Sequence, residues 1–399
     1  MFGSIYTGLT GMMTFSQGLD VISNNVANLN TPGYKGNDLL FQDVFYRYGL
    51  SSESGVNNPS SEIGNGVTGD RTVMREAQGE IRETGNQNDV AIDGNGLFIL
   101  RDGEDTYYTR AGQFEVDDEG YLVDRVNQAR VAGFEDGELV DINVSALGNN
   151  RPQATTEILL TNNLSTNGIE HAITEVEIFD ALGGSHRINL KFSNDAGLWR
   201  VDVTDPEENV IASGGEIRFQ ADGSPEEGFH RFSFQFAPDD VAASEIILNF
   251  GEPGSFTGVT SFATGETSDL AVESQDGYAS GARISTGFDR NGTLTVEYSN
   301  GKDDESTQLA FAWFDDLQAL RQIGGGLFLA GEGLEPMIDT PMQGVMGEIV
   351  EKSLELSNVE LTLEFTDLII MQRGFQGSSQ ILTASNEMIQ QLLDMGRGA

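Results

Sequence analysis

The stretch LTLEFTDLIIMQRGFQGSSQILTASNEMIQQLL, residues 361–393, carries an apolar side chain at every seventh position: Leu361, Leu368, Phe375, Leu382 and Ile389. Phe365 and Leu393 add positions on a second seam. A sustained seven-residue repeat keeps one stripe of a helix apolar over many turns, which is the pattern of a coiled coil. The other end of the chain repeats it. Phe2, Ile5, Leu9, Met12, Leu19 and Val26 share one a/d seam, interrupted at Ser16 and Ser23, and Phe15, Ile22 and Leu29 form a flanking stripe. Periodicity alone leaves two partners open for these stripes, another helix or a globular core. The first helix is expected to stop near Asn28–Gly33. There Thr31-Pro32-Gly33 breaks the repeat, because a proline pushes its predecessor out of the α region.

Between the two helices the period falls to two. Ile188, Leu190 and Phe192, then Trp199, Val201 and Val203, then Phe232, Phe234 and Phe236 alternate with polar residues, as half-buried strands require. Asp289-Arg290-Asn291-Gly292 and Asp93-Gly94-Asn95-Gly96 read as turns, the second as a hairpin turn before the apolar run Leu97-Phe98-Ile99-Leu100. No long helical pattern appears from about 76 to 350. The fold class is therefore mainly β and multi-domain, with N- and C-terminal α-helices forming an axial coiled coil and a chain that goes out and returns. The expected division is a helical axial core domain (1–34 with 355–399), an extended linker or arm (35–75, including the Ser/Gly/Asn-rich stretch Ser51–Gly69), an inner β domain (76–149 with 273–354) and an outer β domain (150–272).

Charge narrows the function. The 399 residues hold 63 acids against 22 bases, a net charge of −41, and only Lys35, Lys191, Lys302 and Lys352 are lysines. Such a surface repels phosphate, which excludes nucleic acid as a partner and disfavours anionic membranes. Heavy acid with little lysine suits salty surroundings, where screening tames self-repulsion. The ends are nearly neutral: residues 1–50 carry −1 and residues 351–399 carry −4, so the middle holds −36. That asymmetry suggests buried ends and a solvated centre.

Enzymatic constellations are poor. With no cysteine there is no disulfide framework, thiolate zinc site or thiol nucleophile. The histidines are His171, His186 and His230, and no two share metal-ligand spacing. His186 and His230 sit in alternating segments and are expected to face outward and idle. Asp93 opens like a calcium loop, but Leu97 and Phe98 stand where an oxygen ligand and a glycine belong. Neither a phosphate-cradling loop nor a nucleophile elbow is found. No catalytic residue, metal or cofactor is expected. Neither a signal peptide nor a membrane span is visible. What remains is association through the two apolar seams, since such helices are marginal alone in water.

Ser23-Asn24-Asn25-Val26-Ala27-Asn28-Leu29-Asn30-Thr31-Pro32-Gly33-Tyr34-Lys35 closely resembles the N-terminal signature of the flagellar rod and hook axial proteins. Its distinguishing residues here are Asn24, Asn25, Asn28, Thr31, Pro32, Gly33 and Tyr34. The run Ser357-Asn358-Val359-Glu360-Leu361 through Met371-Gln372-Arg373-Gly374-Phe375-Gln376 to Met388-Ile389 resembles the partner signature. Asp89-Val90-Ala91-Ile92 and Tyr108-Thr109-Arg110-Ala111-Gly112-Gln113-Phe114 resemble the domain these proteins share beside the axial core. The insertion near 150–272, with Ile178-Phe179-Asp180, Gly184, His186 and Trp199, is similar to the outer domain of the hook members. The resemblance implies a non-enzymatic, extracellular subunit exported uncleaved by the flagellar type III apparatus. It would polymerise with itself into a curved tube that passes torque, as a universal joint, from rod to filament. Its implied partners are the hook cap, distal rod and hook–filament junction proteins. Two rival readings stay open at this stage: another axial component, such as a rod protein with an insertion or a junction protein, and a secreted β-domain adhesin.

Overall fold

Asn28 ends the first helix. Its amide donates back to the Asn24 and Asn25 carbonyls, and its side-chain amide donates to the Asn24 carbonyl at 2.9 Å. The chain then turns through Gly33, whose φ of +68° lies in the left-handed region. A computed structural model describes residues 2–44, 46–48, 62–238, 241–331 and 333–397. Helix α1 spans Phe2–Ala27 and helix α2 spans Leu361–Arg397. They pack antiparallel: Gly18 lies against Met371, Gly374 against Phe15, and Gly11 and Gly8 against Ser378. The chain thus returns to where it began.

The arm expected at 35–75 is a β-ribbon over most of its described length. Asn37–Asp43 pairs antiparallel with Val67–Met74, slipping register at Leu40/Phe41, and Tyr46–Tyr48 pairs with Glu62–Gly64. Phe41 of the ribbon lies 5.6 Å from the ring of Phe15 on α1. Most of the expected Ser51–Gly69 stretch, residues 51–61, lies outside the described residues.

Contacts divide the chain into two compact units. The first comprises residues 1–145, 286–295 and 305–399. In it Leu97–Asp102 runs antiparallel to Asp105–Thr109 and to Arg130–Glu135, with Phe311–Trp313 alongside. The apolar run at 97–100 is completely covered, and Phe98 meets Phe114 and Phe311 edge-on at 5.1 and 5.5 Å. Two short pairs join the β part to the chain's return: Val90–Asp93 with Glu348–Glu351, and Ile81–Glu83 with Ser353–Glu355.

The second unit comprises residues 146–285 and 296–304. A four-stranded antiparallel sheet (Glu170–Phe179, Ser185–Asp195, Leu198–Thr204, Val210–Ile217) shares a core with a five-stranded mixed sheet around Glu157–Asn163. The residues expected to face inward do so. Ile188, Leu190, Phe192, Trp199, Val201 and Val203 are buried against Ile158, Leu248 and Phe250. Among the described residues of 76–350 the only helix is one 3-10 turn at Leu317–Ala319.

Two expectations are corrected. Asp93-Gly94-Asn95-Gly96 does not close a hairpin, because the strands on either side of it pair with Glu348–Glu351 and Asp105–Thr109 rather than with each other. Of the two histidines expected to face outward and idle, His186 does neither. His186 shares the inward parity of Ile188, its Nε2 lies 2.7 Å from Asp180 Oδ2, and its ring stands edge-on to Phe236. His230 precedes its strand in a turn, with Nδ1 buried and without a hydrogen-bond partner among the described residues. Parity counted from neighbouring apolar residues cannot see a carboxylate six positions away.

Candidate assembly surface

The helix seam is built from small residues. On α1 the side facing α2 carries Gly8, Gly11, Thr14, Gly18, Ile22 and Asn25, all buried. A Cβ on Gly11 would sit 2.7 Å from Ser378 Oγ, and one on Gly374 would sit 2.4–2.7 Å from the ring of Phe15. The glycines leave room for side chains of the other helix, with Phe15 seated on Gly374 and Met371 on Gly18, and at Gly8 the backbone of α2 itself comes close.

The sequence-predicted seam therefore divides. Ile5, Met12, Leu19 and Val26 on α1 and Leu368, Phe375, Leu382 and Ile389 on α2 are half-buried along the edges of the helix contact. Leu9 and Leu361 are exposed, and the side chain of Phe2 lies outside the described residues. The outward faces keep large apolar side chains among polar ones. Tyr6 and Met13 on α1, and Leu363, Phe365, Ile369, Ile370, Leu393 and Met395 on α2, are each more than half exposed. So many large apolar side chains left exposed on two packed helices mark an interaction site.

Below this surface the signature loop is fastened to the β part by buried charge. Glu355 is 1% exposed, and its carboxylate accepts from Lys35 Nζ at 2.7 Å, from the Arg110 guanidinium and from the Gly79 amide at 2.9 Å. Its backbone carbonyl accepts from the Gly33 amide. Burial alone would push the Glu355 carboxyl up, but Arg110 and Lys35 outweigh it and hold it below its ordinary range. The remaining donors of Arg110 reach the carbonyls of Ile92, Gly94 and Gly96. The Asp93–Gly96 turn is thus a carbonyl cradle for a guanidinium.

A second knot lies one turn into α2. Glu364, fully buried, accepts from Arg75 Nη1 at 2.6 Å and from Asn25 Nδ2, while Arg75 also binds Asp38. Asn25 closes the loop reciprocally, donating to the Asn37 carbonyl at 2.9 Å and accepting from its amide at 3.0 Å. Tyr34 Oη donates to Asn25 Oδ1 and accepts from Asn24 Nδ2. Asn28 Oδ1 accepts from Thr31 Oγ1, and Pro32 follows in the turn. Asn358 spans the gap, accepting from the Gly36 amide and donating to the Arg75 and Ala77 carbonyls. So the structure brings the signature residues together as a clamp at the base of both helices.

Sequence reasoning missed Glu355, Glu364, Arg75 and the role of Arg110. One signal was available: Glu364 interrupts an apolar helix, and an acid on a buried face needs a cation.

Gly33→Ala tests how tightly the clamp is drawn. The added Cβ would meet Ala111 N at 2.6 Å and the Arg110 carbonyl carbon at 2.8 Å, both backbone atoms, at a positive φ. The left-handed strain and the displaced strand together should cost roughly 2 kcal/mol or more in a thermal or urea unfolding series. A cost under about 0.5 kcal/mol would show slack in the loop.

Known proteins share this layout. Residues 5–35 match the family model described as flagella basal body rod protein, and residues 350–395 match the flagellar basal body rod FlgEFG protein C-terminal model. Residues 91–160 match the flagellar hook protein FlgE/F/G D1 domain, and residues 146–314 match the flagellar basal body protein FlaE D2 domain. The chain is 30% identical to the flagellar hook protein FlgE of Treponema pallidum, across 100% of both chains. It is 27% identical to that of Borreliella burgdorferi (98% of this chain, 99% of the relative). It is 25% identical to that of Escherichia coli (97% and 98%). In fold it is similar to the crystal structure of Helicobacter pylori flagellar hook protein FlgE2, with a TM-score of 0.52 and 14% identity over 69% of this chain and 100% of that one.

Proposed function

This chain belongs to the flagellar hook protein family and is an extracellular, non-enzymatic structural subunit of the hook, and on that premise we propose that α1 and α2 form the inner layer of a helical homopolymer of the chain. The observation that carries this reading is the set of large apolar side chains left exposed on the helix pair. Covering a side chain that is already half-buried contributes about 1 kcal/mol, and a tube presents neighbours to many such residues at once. The interface residues are those of the two seams together with the exposed stripe that flanks them.

The four-part division belongs to the same proposal. Residues 1–34 with 355–399 hold the tube, and 76–149 with 273–354 surround them, joined by the ribbon of 35–75. Residues 150–272 lie outermost. Weak, screened contacts between acidic β surfaces would let the tube curve and act as a universal joint while the helical layer carries torque. Its ends would meet the distal rod, the hook cap and the hook–filament junction proteins, after delivery by the type III export apparatus.

Amide exchange tests the central point. In the polymer, residues 2–27 and 361–397 should be far better protected than in the monomer. Equal protection in the two states would remove the helices from the interface.

A further inference from the structure

The outward face of α1 carries a single anion, and that of α2 a single cation followed along the helix by the exposed acids Glu387 and Asp394. Asp20 is the only charged residue of α1. It is exposed on the side turned away from α2, the side that also carries Leu9 and Met13. Arg373 is the only cation between Leu361 and Gly396, exposed on the side of α2 turned away from α1 and one turn from Ile369 and Ile370. Arg373 touches only Gln376 Oε1, at 3.3 Å, and neither ion is in a salt bridge among the described residues.

Within one chain the two cannot meet, since the helix pair stands between them. Their heights differ by little more than one turn. Gly18 lies opposite Met371 in the antiparallel pair, so Asp20 and Arg373 are offset by four residues, about 6 Å along the axis at 1.5 Å per residue. A neighbour rotated about a common axis and shifted by about that much would set its α2 face on this α1 face with opposite charges level.

We propose that Asp20 pairs with Arg373 of a second copy of this chain, and that this pair sets the register between adjacent helix pairs in the polymer. The proposal rests on the reading of α1 and α2 as the inner layer. Apolar stripes supply most of the attraction but slide easily. Asp20 finds one cation on the facing helix and would be repelled by Glu387 and Asp394 further along it, so charge favours one register over the others, much as a single polar position does in a coiled coil.

Charge exchange decides it. Full-length chains are purified as native, Asp20→Arg, Arg373→Asp and the double variant, with circular dichroism to confirm folding. Assembly is read by sedimentation and electron microscopy. Each single variant places like charges together and should raise the concentration needed for assembly about tenfold or more. The double variant should return to within about twofold of native. An equimolar mixture of the two single variants should also co-assemble, because each supplies the charge the other lacks. That rescue has no explanation within one chain. Single variants that assemble like the native chain would overturn the pair, as would failure of both rescues while native chains polymerise. Failure of native chains to polymerise under any ionic strength would instead overturn the inner-layer reading on which it rests.

Discussion

Glu355→Ala is expected to cost about 3–5 kcal/mol, the loss typical when one partner of a buried ion pair is removed. The reason is what remains. Lys35 and Arg110, 8% and 5% exposed, would face each other without a counter-charge, and the Gly79 amide would lose its acceptor. The two cations come from different stretches of chain, one from the signature loop and one from the strand turn, so the damage reaches both. Glu355→Gln, which keeps volume and some hydrogen bonding, should cost less. Urea unfolding of the full chain measures both, and a loss under about 1 kcal/mol for the alanine variant would mean that the clamp is not structural.

Acid should erase this difference. The carboxyl of Glu355 is held below its ordinary value of 4.5, since the neighbouring cations outweigh the burial that opposes ionisation. A group depressed in the fold adds stability above its unfolded value, and that stability disappears as pH falls through the lower folded value. The gap between native chain and Glu355→Gln should therefore be widest near neutrality and shrink on acidification below about 4.5. Comparing the two chains removes the background from the other acids.

Trp199→Ala should have a similar effect on the second unit. Trp199 is 1% exposed, on a strand between Ser185–Asp195 and Val210–Ile217, and it fills the core shared with Phe192, Ile217 and Phe250. Truncating a fully buried tryptophan removes its transfer free energy and leaves a cavity, about 3–5 kcal/mol together. For a unit of this size that is a fall of roughly 6–20 °C in melting midpoint. Trp199→Phe should recover about half of the loss, because its ring refills part of the cavity. Calorimetry of the three chains would check this, and a fall below about 2 °C for the alanine variant would show that the two sheets do not share one core.

Local direction was legible in the residues. Heptads at both ends, the stop at Thr31-Pro32-Gly33 and the alternation through 188–192 and 199–203 each report which way successive side chains point, and that depends only on nearby backbone geometry. The absence of catalytic constellations and the terminal signatures were legible for the same reason, being short and continuous. Identity of partner was not. Glycine adds nothing to an apolar repeat, yet Gly8, Gly11, Gly18 and Gly374 make the room in which Ser378, Met371 and Phe15 of the facing helix seat. Lys35 and Glu355 are 320 positions apart, and Arg110 and Glu355 are 245 apart, so no spacing rule could join them. The Asp93–Gly96 turn looks like a hairpin until its carbonyls are seen around Arg110. By itself the sequence determined the elements, their periodicity and the family of this chain. The tertiary structure decided which faces are consumed within the chain and which are left for a neighbour, because closest approach and charge pairing depend on register between segments that the chain brings together only after it has gone out and returned.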